Sequence, residues 1–164
     1  MLPALALWTA LQKNPPPAVT LTLIPEKKSF QKGEPVAFEI VLVNRTKNKL
    51  IVDRRFLPGA DETFGQELTI LLTGPKEMPL PNLVMAQPSP LTKSDLQMLL
   101  PNQSISQKLP LSNIFLFSTA GDYQIQAIYN TTGLASALPY WHGRVVSPPV
   151  SFSIASNSNS PKEK

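Results

Sequence analysis

Apolar and polar positions alternate with a period of two in several short stretches, and helical spacing is nearly absent. Val19, Leu21 and Leu23 alternate with Thr20 and Thr22 up to a stop at Pro25. Val36, Phe38, Ile40 and Leu42 alternate with Ala37 and Glu39, and Asn44-Arg45 supplies the turn that closes this run. Leu50 to Asp53 predicts a short third strand, and Leu68, Ile70 and Leu72 a fourth that ends at Gly74-Pro75. Strand patterns return at Gln103 to Leu109, Tyr123 to Tyr129 and Val145 to Ile154. Such alternation puts one face of each strand on a core and the other toward water. Seven segments of this kind, with turn signals between most of them, predict an all-β antiparallel sandwich. The one helical candidate is Ser94-Asp95-Leu96-Gln97, a capping box opening a short turn that Pro101 closes.

The segment from Gly74 to Asn102 interrupts this rhythm. It is far longer than the usual connection of about 4–6 residues. It is studded with proline and unusually apolar, carrying Leu80, Leu83, Val84, Met85, Leu96, Met98, Leu99 and Leu100. It reads either as a lid over an open end of the sandwich or as an interaction surface. Exposure of Val84, Met85, Met98 and Leu99 would favour the second. Residues 1–17 read as an apolar, signal-like stretch followed by the polyproline-like spacer Lys13 to Pro17. Residues 18–154 form the sandwich, and residues 155–164 (ASNSNSPKEK) are a polar tail expected to be disordered.

Composition narrows the class. Eighteen prolines and seven glycines suit short strands with irregular loops rather than a helical bundle. The absence of cysteine excludes a disulfide framework, a thiolate metal site and a cysteine nucleophile. The net charge of +4 gathers partly in Arg45, Lys47, Lys49, Arg54 and Arg55, with only Asp53 interrupting. Nucleic-acid binding would need stacking aromatics interleaved with such a patch, and only Phe56 is near, so nucleic acid is not an expected partner. The bland reading is a solvated strand edge. Met1 to Leu11 (MLPALALWTAL) is too short to span a bilayer and resembles the hydrophobic part of a secretory signal. Ala4-Leu5-Ala6 has the form of a cleavage site but lies early, and an apolar arm or extra strand is the alternative. The expected location is extracytoplasmic.

Two motifs carry a resemblance. Ser29-Phe30-Gln31-Lys32-Gly33-Glu34-Pro35-Val36-Ala37-Phe38 resembles the strand A–B opening of macroglobulin-like and other extracellular immunoglobulin-like modules. There Gly33 can supply the positive φ of a tight turn, and Pro35 starts the strand where its missing N–H does little harm. Leu100-Pro101-Asn102-Gln103-Ser104 resembles the entry to strand E of bacterial envelope modules, and Leu111-Ser112-Asn113-Ile114-Phe115 the E–F corner. Ala120-Gly121-Asp122-Tyr123-Gln124-Ile125 resembles the tyrosine corner of immunoglobulin and fibronectin type III domains. Trp141-His142-Gly143-Arg144, with Ser147 and Val150-Ser151-Phe152-Ser153-Ile154, resembles their F–G loop and G strand. The resemblance runs from Val19 to Ile154. It implies a seven-stranded immunoglobulin-like β-sandwich with one long loop containing a short helical turn. It assigns Tyr123 and Gly121 to the structural corner. Ile125 stands where immunoglobulin domains carry the second cysteine, so apolar packing must tie the sheets. Such modules are exported and non-catalytic, and their fold does not name their function.

Catalytic chemistry finds no material. The single histidine, His142, rules out a two-histidine zinc site, and no nucleophile elbow or phosphate-binding glycine loop is present. Asp61-Glu62 with Asp53 matches no calcium loop. No metal or cofactor is therefore expected, and the chain is read as a binding module rather than an enzyme. Tyr140, Trp141, His142 and Arg144 cluster in the F–G loop and are residue types that dominate binding hot spots. Trp141 could instead fold back to plug the sandwich end. The candidate binding residues are thus Tyr140, Trp141, His142 and Arg144, with Val84 and Met85 of the excursion. A protein partner is expected first. A glycan stacked on Tyr140 and Trp141, or a protease met by the loop 74–102 acting as an inhibitor, are the alternatives. The Asn-x-Thr/Ser triplets at Asn44, Asn102 and Asn130 fit a glycosylation pattern that is frequent by chance.

Overall fold

The computed structural model describes residues 17–59, 67–75, 90–132 and 138–156. These residues form an all-β structure of eleven strands. Three strands make one sheet in the order β1 (Val19–Pro25), β3 (Ala37–Asn44), β8 (Ser104–Pro110). A larger sheet has the order β2 (Ser29–Gln31), β11 (Val150–Ala155), β9 (Gly121–Asn130), β6 (Leu68–Thr73), β5 (Pro58–Gly59). A further strand, β10 (Arg144–Val146), also pairs with β9. A separate two-stranded ribbon joins β4 (Leu50–Asp53) to β7 (Leu96–Leu99). The long pairings are antiparallel, and two short ones, β2 with β11 and β5 with β6, are parallel.

The alternation read from the sequence becomes the core. Val19, Leu21 and Leu23 of β1, Phe38, Ile40 and Leu42 of β3, and Leu68, Ile70 and Leu72 of β6 are buried, as are Tyr123, Ile125 and Tyr129 of β9. The two larger sheets meet through aromatic rings. Phe152 of β11 lies 5.3 Å from Phe38 of the opposite sheet, edge to face, and stacks on Tyr123 at 5.3 Å. Phe30 and Phe117 complete the cluster around it at 6.0 and 5.9 Å. The Tyr123 hydroxyl donates to the Thr119 carbonyl at 2.6 Å. Gly74 lies against the same ring, and a Cβ there would meet Tyr123 Cδ1 at 2.5 Å. Gly33 takes a φ of 85° in the β2–β3 turn, where an L side chain is strained.

Three departures from the sequence reading have physical causes. The run Val145 to Ile154 is not one strand. Val146 pairs with Ile128 but Val150 with Ile125, so Ser147-Pro148-Pro149 opposes one residue fewer and forms a bulge. Two prolines cannot donate to the ladder. Ser147 compensates, its N–H donating to the Ala127 carbonyl at 2.8 Å and its hydroxyl accepting from the Ala127 N–H at 2.9 Å. The helical turn is set two residues earlier and is shorter than the Ser94 capping box implies. It covers Lys93–Asp95, with Asp95 accepting from the Thr92 N–H at 2.8 Å and the Thr92 hydroxyl at 2.6 Å. Leu96-Gln97 then enters β7 instead of continuing a helix. Finally, β2 and β5 are too short to show a period.

Removing the corner hydroxyl in Tyr123→Phe is expected to cost about 1 kcal/mol, the usual net worth of one hydrogen bond. The check is urea unfolding, in which the midpoint falls while the slope stays constant.

Candidate functional site

The loop that follows β9 does not present its aromatic residues outward as a group. Tyr140 is buried, and Trp141 is half-buried, packed against the core and stacked on Tyr129 at 5.9 Å with the planes 6° apart. Gly143 lies beneath the indole, where a Cβ would sit 2.3 Å from Trp141 Cζ2. Thr131 anchors this end. Its hydroxyl donates to the Trp141 carbonyl at 2.8 Å and accepts from the Gly143 N–H at 3.1 Å. His142 and Arg144 face solvent, with the His142 ring 4.4 Å from that of Tyr140. Val84 and Met85 lie outside the described residues, as do Asp61 and Glu62. Of the four loop residues singled out by type, the structure therefore leaves two at the surface and turns two inward.

Below that loop lies a charged cluster that residue types alone do not reveal. Asp53, at the end of β4, and Glu67, just before β6, are both fully buried. Arg55 stands between them. Its Nε donates to both Asp53 oxygens at 3.1 and 3.0 Å, its Nη2 to Asp53 Oδ2 at 2.7 Å, and the same Nη2 to Glu67 Oε1. Glu67 Oε2 is buried without a hydrogen-bond partner. The Tyr129 hydroxyl donates to the Asp53 carbonyl at 2.8 Å, and Tyr140 lies in the field of the same charges. Next along the chain, Phe56 is held at a φ of 47° with its ring 5.5 Å from that of Tyr129. A buried aromatic in that region carries roughly 1–3 kcal/mol of strain, sustained here by packing.

One guanidinium cannot neutralise two carboxylates. Arg55 grips Asp53 with two donors, so the excess negative charge falls on Glu67. Burial pushes the Glu67 carboxyl up to about 7, and the Asp53 charge pushes the same way against the pull of Arg55. Burial likewise raises the Tyr129 and Tyr140 phenols above their ordinary range. The cluster holds a proton near neutrality. The sequence signal for it was only Asp53 and Arg55 two apart at the end of an apolar strand.

The ribbon β4–β7 supplies the contrasting surface. Pairing sets Leu50 against Leu99, Ile51 against Met98, Val52 against Gln97 and Asp53 against Leu96. Val52 and Leu99 enter the core with Leu50 against them. Alternation places Ile51, Asp53, Leu96 and Met98 on the other face, where Asp53 at one end is fully buried in the Arg55 cluster. There Met98 is 52% exposed, and Leu100, one step past the strand, is 50% exposed. Leu99, expected with Met98 as a marker of an open loop, is buried. Asn44 fixes the ribbon to its neighbours. Fully buried, it donates from Nδ2 to Asn48 O at 2.8 Å and Leu99 O at 3.0 Å, and Oδ1 accepts from the Thr46 N–H at 2.9 Å. An amide so engaged cannot carry a glycan in the folded chain.

A shallow open cleft of about 580 Å³ lies at the Tyr123 corner, lined by polar side chains that include Lys28, Asp122, Gln124 and Ser151. Among the described residues no group of three or more His, Asp or Glu side chains is placed to hold a metal ion. Among the same residues no helix is long and apolar enough to cross a membrane. No protein-family model and no curated protein matches the sequence.

Glu67 gives the stability an unusual slope with pH. The unfolded chain releases this proton near pH 4.5 and the folded chain near 7. The folded state thus binds more protons between those values. Stability is greatest below pH 4.5 with respect to this group, falls through pH 7 and is flat above, a loss on the order of 3 kcal/mol. Denaturant midpoints from pH 5 to 8 are expected to fall in the wild type and stay level in Glu67→Gln; equal slopes in both would refute the assignment. Truncation of the packed indole in Trp141→Ala is expected to cost about 3 kcal/mol. An unchanged unfolding midpoint would place the indole outside the core.

Proposed function

We propose that the chain is an immunoglobulin-like β-sandwich acting as an extracytoplasmic, non-catalytic binding module for a protein partner. The order β2-β11-β9-β6, facing β1-β3-β8, supports the fold, because it parallels the strand order A′-G-F-C over A-B-E of such domains. The bond from the Tyr123 hydroxyl to Thr119 supports it further, being the contact of a tyrosine corner. The apolar run Met1 to Leu11 supports export.

The observation that carries the function is the solvent-facing stripe Met98-Leu100 on a ribbon outside both main sheets. Scattered exposed apolar side chains are ordinary. Met98 in β7 and Leu100 just past its end, both at half exposure and beside half-buried Ile51 and Leu96, offer an apolar patch suited to a partner. The inward-turned Tyr140 and Trp141 move the proposed contact from the loop tip to this ribbon, with His142 and Arg144 at the surface nearby in sequence.

A photo-reactive amino acid in place of Met98 is expected to yield a discrete protein adduct in the native host. The same group in place of exposed Glu39 on β3 should not. Absence of an adduct at position 98, or equal adducts from both positions, would remove the reading.

A further inference from the structure

Three features of the ribbon converge on one kind of ligand. The first is its outer edge at Met98. The Arg54 N–H donates to the Asp95 carbonyl at 2.9 Å, which fixes the parity of the antiparallel ladder. Consistent with that parity, the Ile51 carbonyl points away from β7 and accepts from the Trp141 N–H at 2.7 Å. The backbone of Met98, opposite Ile51, then points away from β4. Among the described residues β4 is the only strand beside β7. Its neighbours on that side are engaged, the Leu96 N–H with the Lys93 carbonyl and the Leu100 N–H and carbonyl with Gln103, and the Met98 carbonyl meets only the Gln97 side chain at 3.4 Å, so Met98 is the point at which an extended chain can pair.

The second feature is the apolar stripe, whose spacing of two residues matches the side-chain period of an extended peptide. The third is charge. Lys49 and Leu100 are the residues next beyond the last ladder pair, Leu50 and Leu99. The Asn44 amide, bonded to both Asn48 O and Leu99 O, holds the loop 45–49 against this end of β7. That loop presents Arg45, Lys47 and Lys49, all exposed, with the Arg45 Nε donating to Thr20 Oγ1 of β1 at 3.2 Å, and none of them forms an ion pair among the described residues. Exposed cations thus border the apolar stripe.

We propose that the outer edge and face of β7 bind an extended, acidic segment of a protein partner. Its backbone pairs at Met98, its apolar side chains cover Met98, Leu100 and Ile51, and its carboxylates meet Lys47, Lys49 and Arg45. This rests on the binding-module reading above and names the partner's chemistry.

The test uses the purified full chain with 13C-labelled methionine methyl groups. The probes are a ten-residue alternating Leu-Glu peptide, its Leu-Lys counterpart, a Leu-Glu peptide interrupted by prolines, and vesicles of equal phosphatidylglycerol and phosphatidylcholine. The Met98 methyl resonance is expected to shift and saturate with the Leu-Glu peptide alone. Lys49→Glu should weaken that binding about tenfold with an unchanged unfolding midpoint. Equal binding of the Leu-Lys peptide, or full affinity in Lys49→Glu, would overturn the acidic chemistry. Equal binding of the proline-interrupted peptide would overturn strand addition, and a Met98 response to vesicles without one to peptide would overturn a protein partner. If Met98 cross-links a host protein while the Leu-Glu peptide fails to bind, the proposed chemistry falls and the binding-module reading stands. If no adduct forms, that reading falls as well.

Discussion

With no cystine available to clamp the sheets, Phe152 takes over the task through contact alone. Its ring touches Phe38 across the interlayer, Tyr123 on the neighbouring strand, and Phe30 and Phe117 at the margins. Each aromatic pair adds roughly 0.5–1.5 kcal/mol beyond the area it buries. The Tyr123 ring in this group is also held by its hydroxyl bond to Thr119 and leaves no room for a Cβ at Gly74. One end of the core is therefore aromatic.

The other end is governed by polar groups, and each has a near-complete set of partners except one. Asn44 satisfies its side chain among Thr46, Asn48 and Leu99, and its backbone with Asn102 and Gln103. Asp53 is enclosed by Arg55 and Tyr129. Glu67 Oε2 is the exception. Buried polar groups left unpaired are costly, so this end trades stability for a constrained arrangement of β4, β7 and the loop after β9.

The long strands were legible because their burial is one-sided. β1, β3, β6 and β9 each write their inward face into every second residue. β7 was hidden because its residues Leu96 to Leu99 are apolar at three of four positions, and a continuous run carries no period. The split of Val145 to Ile154 was written in Pro148-Pro149, but apolar residues on both sides masked it. The candidate surface was less legible still. Aromatic type pointed to Tyr140 and Trp141, yet a stacking partner in Tyr129 and a gap opened by Gly143 drew the indole inward. Neither the Arg55 cluster nor the role of Asn44 could be read, because both join segments far apart in sequence.

The place of β11 sets the order in which the protein can be completed. It lies between β2 and β9, so a strand made late fills an interior position of the larger sheet. As the chain leaves the ribosome, β1 and β3 can pair early and β8 can join them. The rest of the larger sheet waits for Val150–Ala155, and Phe152 arrives with that strand. Until β11 arrives the nascent chain carries an unsealed aromatic core and open strand edges, the state in which a β-protein is most exposed to aggregation. Closure of the core thus waits for the last of the described strands.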